Sequence, residues 1–344
     1  MLKFLYIYKW CTFGGVERVL LNRAIAFKKF AIPVKIDVFF YYGGVKSQFN
    51  EYIAKFKLQD YIEITESLDF KKYTKIVSID TPEVFDNLSI EKVILEYHTS
   101  YEDHGKYIYN LPDTRIERVV VPSNYFAEVL RTKNPKLAER CVILRNFVID
   151  EAFEEKDFHL PDWNLVPLVW IGRVDRVKNP HFVVSALKEF RKLYADKAFF
   201  CVVGSSHDEQ SFIKHIESEK MSDRVIFYPN LKFERIKAFL KKMKERRAIF
   251  VSASLGESFG MAVAEAIYFG LPVLVSDIPP HRYLVEGDED FLFEIGNKDQ
   301  FCKKLDNLIQ NYEYFAQKTS KFVDKLKPEG FIKDWEEFVK ILKL

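Results

Sequence analysis

Gly256-Glu257-Ser258-Phe259-Gly260-Met261-Ala262-Val263-Ala264-Glu265-Ala266 follows the apolar run Ala248 to Ser252 and crosses into a helical pattern. Its two carboxylates, Glu257 and Glu265, stand eight residues apart. That spacing is a little over two helical turns and sets Glu265 about 20° round from Glu257 and roughly 12 Å further along the axis. A ligand laid along such a helix meets both acids. Ser258 and Gly260 are small and leave the first-turn N–H groups open. A helix N-terminus favours an anion through those donors and through its macrodipole. One helix is therefore expected to hold a phosphate at its tip and hydroxyl-rich groups on either side, which are the parts of a nucleotide-sugar.

Outward from this stretch, Ile171-Gly172-Arg173-Val174-Asp175-Arg176-Val177-Lys178-Asn179-Pro180 ends an earlier strand. Arg173 and Lys178 bracket a strand-to-helix turn, with Pro180 suited to the first helical turn. Alone the pair is a common surface pattern. Beside a helix-tip anion site it can neutralise a diphosphate, the arginine as a flat fork and the lysine as a point charge. Near the start, Thr12-Phe13-Gly14-Gly15-Val16-Glu17 opens another helix, and its glycines permit close backbone approach. It is not a GxGxxG dinucleotide fingerprint, and a plain tight turn is the competing reading. His98 ends the run Lys92–Tyr97 with Thr99, Ser100, Glu102 and Asp103 behind it. Polar groups at a strand's carboxyl end mark α/β ligand sites, although a histidine bonded to its own loop fits as well. Asp288-Glu289-Asp290 imitates a metal-binding DxD but reads as a solvated turn, and no metal site is expected.

Short apolar runs alternate with amphipathic helical stretches almost throughout, which predicts parallel α/β architecture. Strands are expected at Leu2–Tyr8, Val34–Phe40, Ile76–Ile79, Lys92–Tyr97, Arg118–Val121 and Val142–Leu144, then at Leu168–Ile171, Phe199–Val203, Val225–Phe227, Ile249–Ser252 and Val273–Ser276. The pattern lapses over the charged segment Asp150–Asn164. Two Rossmann-like domains follow, 1–150 and 151–326, facing each other across a cleft. The segment 327–344, with Phe331, Trp335, Phe338 and Ile341 at helical spacing, is expected to cross back onto the first domain.

With 344 residues, 48% apolar and 30% charged, the composition suits two folded domains and excludes disorder. No run approaches the roughly 20 apolar residues of a membrane span. Four scattered cysteines, Cys11, Cys141, Cys201 and Cys302, form neither a zinc spacing nor a disulfide framework, and a cytoplasmic setting is expected. The net charge of +2 is uneven: residues 1–50 hold eight Lys/Arg against two acids, and residues 232–247 repeat that imbalance. Solvated faces account for both. Contact with an anionic membrane at its inner face is the sharper reading, based on Arg18, Arg23, Lys28 and Lys29 with Phe27 and Phe30. No nucleic-acid motif accompanies the charge.

Together these residues resemble family 4 glycosyltransferases of the GT-B fold, over nearly the whole chain. Gly14-Gly15-Val16-Glu17 is similar to that family's early glycine loop. Asn146-Phe147-Val148-Ile149-Asp150 is similar to its interdomain Asn-Gly-Val-Asp segment, with Phe147 in place of glycine. Arg173 and Lys178 match the donor-phosphate segment, and Val203-Gly204 matches a nucleotide-side loop. Glu257 to Glu265 followed by Gly270-Leu271-Pro272-Val273 is the EX7E region. The resemblance implies a retaining, metal-independent transferase that needs no cofactor. It would move a sugar from a nucleotide-sugar, expected to be a UDP-sugar, to a glycan or lipid-linked acceptor in bacterial cell-envelope synthesis. It assigns the donor sugar to Glu257 and the backbone of Ser258, Phe259, Gly260 and Met261, and the ribose to Glu265. The diphosphate falls to Arg173 and Lys178 with Gly14 and Gly15 approaching, the nucleotide side to Gly204, and the transferred sugar's reacting face to His98. A nucleotide-sugar epimerase, a phosphorylase and a non-catalytic nucleotide-sugar-binding module share the architecture and remain the alternatives.

Overall fold

Strand β1 (Leu2–Tyr8) buries Phe4, Leu5, Tyr6 and Ile7 in succession. A strand covered on both faces loses the in–out alternation of a half-exposed sheet, and this run reads as continuous apolar sequence for that reason. The computed structural model describes residues 1–344 apart from 13, 88–89, 100, 112–113, 151–159, 161–162, 195, 206–208 and 230. Most of the charged segment Asp150–Asn164 lies outside the described residues. Two compact units result, Met1–Ile149 with Lys327–Leu344, and Asp150–Leu326.

The first unit continues with β2 (Val34–Phe40), β3 (Ile62–Ile64), β4 (Lys75–Ile79), β5 (Val93–Glu96), β6 (Ile116–Val121) and β7 (Cys141–Ile143). They form one sheet in the order β3-β2-β1-β4-β5-β6-β7, every pair parallel. The second unit holds β8 (Val166–Arg173), β9 (Ala198–Ser205), β10 (Val225–Pro229), β11 (Ile249–Ser252), β12 (Val273–Ser276) and β13 (Leu292–Phe293). Their order is β10-β9-β8-β11-β12-β13, again parallel. Each sheet reverses its winding once, between β1 and β4 and between β8 and β11. The crevice beyond the strand ends at such a point is where open α/β sheets take ligands. β3 and β13 are absent from the sequence-based expectation because three and two residues are too few to show a period.

Helix Pro328–Ile341 belongs to the first unit. Its Trp335 ring sits 5.2 Å from Phe4 and 4.7 Å from Phe27, and Asp334 takes the Arg145 guanidinium at 2.6 and 2.9 Å. Phe147, the residue that departs from the family's glycine, stacks on Phe331 at 4.7 Å and 26°. Burying each such ring contributes about 1.5–3 kcal/mol, so the departure fastens the returning helix.

Two expectations are altered by the fold. Of the residues read as a basic, aromatic face of helix Gly15–Lys29, Arg23 and Phe27 are buried, Arg18 and Phe30 are half-buried, and Lys28 and Lys29 are exposed. The EX7E stretch is not one helix. The helix is Met261–Tyr268, capped by Gly260 at φ +88°, a left-handed conformation that favours glycine. Glu257 therefore lies in the preceding loop, and the two carboxylates do not share a helical face.

Candidate active site

In the second unit the site grows from the carboxyl ends of β8 and β11. The turn after β8 is laced to the loop after β11 by Leu255 N–H donating to Val177 O at 2.7 Å, and by Asn179 Nδ2 donating to Ala253 O at 3.4 Å. Across that seam Lys178 Nζ reaches both Glu257 oxygens, at 2.6 and 2.5 Å. Ser254 Oγ donates to Glu257 Oε1 at 2.9 Å. Burial alone would raise the Glu257 carboxyl, but the Lys178 charge, then His281, then the hydrogen bonds from Lys178 and Ser254 bring it below its ordinary value. Arg173 projects farther out, 57% exposed, with Nε 3.6 Å from Asp175 Oδ2. Asp175 also accepts from the Lys178 backbone N–H at 2.8 Å and so sets the turn between the two cations.

The loop continues into Ser258, which is half-buried, and Phe259, which is buried with its ring 6.4 Å from Tyr283. Beyond Gly260 the first-turn amides of helix Met261–Tyr268 have no intrahelical acceptor. Glu265 is buried on that helix, one turn and more from its start. Sequence reading missed the group beneath: Ser276 at the end of β12 and His281. Ser276 Oγ donates to Ser254 O at 2.6 Å, and His281 Nδ1 lies 2.9 Å from Ser276 O. A carbonyl acceptor there places the proton on Nδ1 and leaves Nε2 bare and buried, against Gly260. Burial lowers the His281 pKa to about 4 against the pull of Glu257, so the ring is neutral near pH 7. The available signal was positional, since Ser254, Ser276 and His281 all follow buried apolar strands. Gly204 pairs with Gly172 across β8 and β9, where a side chain would strike the Gly172 carbonyl and the Trp170 ring. Asp288 and Asp290 are bridged by Lys318 at 2.7 and 2.6 Å, a salt-linked turn.

In the first unit, helix Gly15–Lys29 begins after the glycine loop, and its tip is already capped by an acid of its own. Buried Glu17 accepts from Thr12 N–H at 2.7 Å and Gly14 N–H at 2.9 Å. A carboxylate three residues inside the helix thus holds the loop before it, in the manner of a capping box, and takes the Gly14 N–H that the sequence left open. Gly15 faces open space. His98, two residues beyond β5, is buried, with Nε2 2.5 Å from Glu96 Oε1. Glu96 in turn takes both Arg23 guanidinium nitrogens, at 2.9 and 2.6 Å. Burial would raise the Glu96 carboxyl, but Arg23 and then His98 hold it down at about 2. Asp80, just past β4 at φ +42°, accepts the His98 backbone N–H at 3.1 Å and the Tyr107 hydroxyl at 2.8 Å. Burial pushes the Asp80 carboxyl up to about 6, partly offset by His98 and the Tyr107 hydrogen bond. Asp80, Glu96 and Tyr107 went unread in the sequence, and Arg23 was read as a surface cation, because each is an ordinary polar residue until the sheet brings it to His98.

No helix among the described residues is long and apolar enough to cross a membrane, and among those residues no group of three or more acidic, histidine or cysteine side chains is placed to hold a metal ion.

Residues 154–324 match the family model of glycosyl transferases group 1. An uncharacterized glycosyltransferase of Haemophilus influenzae is 26% identical over 96% of this chain and 96% of its own length. The Escherichia coli O-antigen biosynthesis glycosyltransferase WclY is 26% identical over 47% of this chain and 42% of its own. Among solved structures, that of Anabaena HepE in complex with UDP and glucose superposes with a TM-score of 0.76 at 15% identity, covering 99% of this chain and 100% of that one. The chain is a glycosyltransferase of the GT-B fold, and its second unit is the group 1 glycosyltransferase module.

Proposed function

We propose that the chain is a retaining, metal-independent glycosyltransferase that moves a sugar from a UDP-sugar to a glycan or lipid-linked acceptor of the bacterial cell envelope. The observation that carries this reading is the Lys178–Glu257 pair with exposed Arg173 on a seam beside the helix start at Gly260, where no side chain takes the first-turn amides. A likeness to the UDP-bound HepE fold supports the choice of nucleotide, and the relation to the O-antigen enzyme WclY supports the envelope acceptor.

In this reading Arg173, Lys178 and the amides of Met261–Val263 receive the charge that gathers on the departing diphosphate. Preorganised cations and amides are the largest class of catalytic contribution and act here without a metal. Glu257 keeps Lys178 oriented and takes hydroxyls of the donor sugar, with Ser258 and Phe259 backbone alongside. Glu265 takes the ribose, with Gly204 on the nucleotide side. In the first unit His98 is fixed by Glu96, Gly14 is held by Glu17, and Gly15 leaves its backbone unhindered. The anomeric C–O bond breaks toward the diphosphate while the acceptor oxygen bonds to the same carbon from the same face. The acceptor proton passes to the departing phosphate oxygen, which leaves as the nucleoside diphosphate. Such a front-face path needs no carboxylate nucleophile. Membrane contact, if made through the first unit's basic helix, is left with Lys28 and Lys29.

A thermal-shift screen of UDP-, GDP- and ADP-sugars tests the donor, because a ligand selective for the folded state raises its stability by mass action. UDP-sugars are expected to stand out. Stabilisation by none of them, or conversion of a nucleotide-sugar with no acceptor product, overturns the reading. Mass-spectrometric capture of a sugar covalently bound to the protein would replace the front-face path with double displacement.

A further inference from the structure

The first unit carries three large aromatic side chains that its fold does not use. Trp10 follows β1, and Tyr41 and Tyr42 follow β2, with exposures of 50%, 40% and 46%. The Trp10 and Tyr42 rings stack at 4.7 Å and 27°, and Tyr41 meets Tyr42 edge-on at 5.0 Å. Burial drives such rings inward, so a contiguous exposed set marks an interaction surface.

The set is rigidly built. Past the strand ends, Tyr41 and Tyr42 N–H donate to Tyr8 and Lys9 O at 2.8 Å each, Cys11 N–H donates to Gly43 O at 2.8 Å, and Val45 N–H donates to Cys11 O at 2.9 Å. Gly44, at φ +121°, lets the two segments touch where any side chain would strike the Cys11 backbone. The rings thus stand on a two-stranded ledge at the carboxyl end of the sheet. Glu83, three residues beyond Asp80 in the chain, accepts the Tyr42 hydroxyl at 3.1 Å and so fixes that ring.

Charge decides what the ledge fits. Lys9 is paired with Glu83 at 3.1 Å and Lys46 with Glu66 at 2.8 Å. Among the described residues these two rim lysines, Lys9 and Lys46, are each matched by a carboxylate, which weakens their pull on an anionic lipid surface or a phosphate. It offers flat π faces, whose negative quadrupole attracts polarised C–H groups, beside polar groups at the ring edge. A pyranose presents C–H groups on its face and hydroxyls at its rim. We propose that Trp10, Tyr41 and Tyr42 form a stacking platform for an uncharged pyranose residue of the acceptor glycan. The proposal rests on the transferase reading above and deepens it, naming the acceptor as a glycan with a neutral sugar near the reacting end.

The test is binding of the full-length protein to an array of neutral and anionic oligosaccharides, with Trp10→Ala, Trp10→Tyr and Tyr42→Ala alongside the wild type. All three substitutions fall on two exposed rings, and unchanged melting temperatures confirm folding. At least one neutral glycan is expected to be retained, with binding weakened about tenfold or more by Trp10→Ala and Tyr42→Ala and largely kept by Trp10→Tyr. Retention of no neutral glycan, or equal retention by Trp10→Ala, overturns the platform. So does co-sedimentation with phosphatidylglycerol vesicles that Trp10→Ala abolishes, since that makes the ledge a lipid contact. UDP-sugar stabilisation, measured on the same variants, separates the two levels: stabilisation without glycan loss sinks only the platform, and its absence sinks the transferase reading itself.

Discussion

Each unit is organised by one ion pair, and the two pairs are buried to different depths. Arg23 and Glu96 are both 1% exposed and joined as a double fork, whereas Lys178 and Glu257 keep 24% and 11% of their side-chain surface. A guanidinium fork that saturates both carboxylate oxygens in a dry interior has nothing left to give a ligand, and its rupture strands a buried charge. An ammonium near solvent is a mobile point charge that an arriving phosphate can share. The deep pair therefore acts on structure, fixing Glu96 so that His98 is fixed. The shallow pair keeps the access to solvent that the proposed leaving-group role requires.

That contrast is easiest to break by truncation. Arg23→Ala is expected to cost about 3–5 kcal/mol of folding stability, the usual loss when a buried pair is broken. Lys178→Ala is expected to cost less, about 1–3 kcal/mol, because Lys178 is itself a quarter exposed and Ser254 still donates to the Glu257 carboxylate left behind. Urea unfolding of both variants decides it, and similar losses would erase the distinction drawn here.

Acidity sharpens the contrast through two single groups that respond to it in opposite directions, His281 in the second unit and Asp80 in the first. His281 in the second unit has a folded pKa of about 4, below its ordinary 6.5. Its contribution to stability is therefore complete above pH 6.5 and disappears as the pH falls through 4, a change of about 3 kcal/mol. His281→Gln should flatten that part of the stability–pH curve, and a curve that keeps its slope argues against a buried neutral imidazole. Activity separates the cations next. Arg173→Ala should lower kcat/KM about 100-fold with an unchanged melting temperature, and Lys178→Ala should lower it less. Near-normal turnover in both would remove them from the leaving-group site.

The smallest effect belongs to Asp80, whose folded pKa is raised from 3.8 to about 6. Its contribution is complete below pH 3.8 and is lost as the pH rises through 6. Asp80→Asn should accordingly be about 1–2 kcal/mol more stable than wild type at pH 7, with the advantage fading toward pH 4. Partial exposure of Asp80 lets solvent screen it and holds the gain below the full shift. An advantage that grows on acidification would reverse the assignment.

The parallel two-sheet architecture was legible because runs such as Leu2–Tyr8 and Ile249–Ser252 are apolar on both faces and helices separate them. The second unit's candidate residues were legible for a similar reason: Arg173 to Lys178 and Glu257 to Glu265 are each contiguous in the chain. What joins those stretches was not, since Lys178 and Glu257 are 79 residues apart and only the adjacency of β8 and β11 brings them together. Arg23 read as a surface cation because nothing local reveals that Glu96, 73 residues on, will be buried against it. Helix onset was misplaced for want of one conformational fact, the left-handed backbone at Gly260 that ends the loop before Met261.

The helix Pro328–Ile341 imposes an order of assembly. Phe4 and Phe27 are emitted early by the ribosome, yet Trp335 and Phe331, which cover them, follow only after the whole of residues 150–326. At ordinary elongation rates the nascent first unit waits roughly 10–35 s with an apolar seam open to solvent. The later-encoded unit can close its core while the earlier one is still incomplete, so aggregation during synthesis should be governed by the seam that Trp335 seals last.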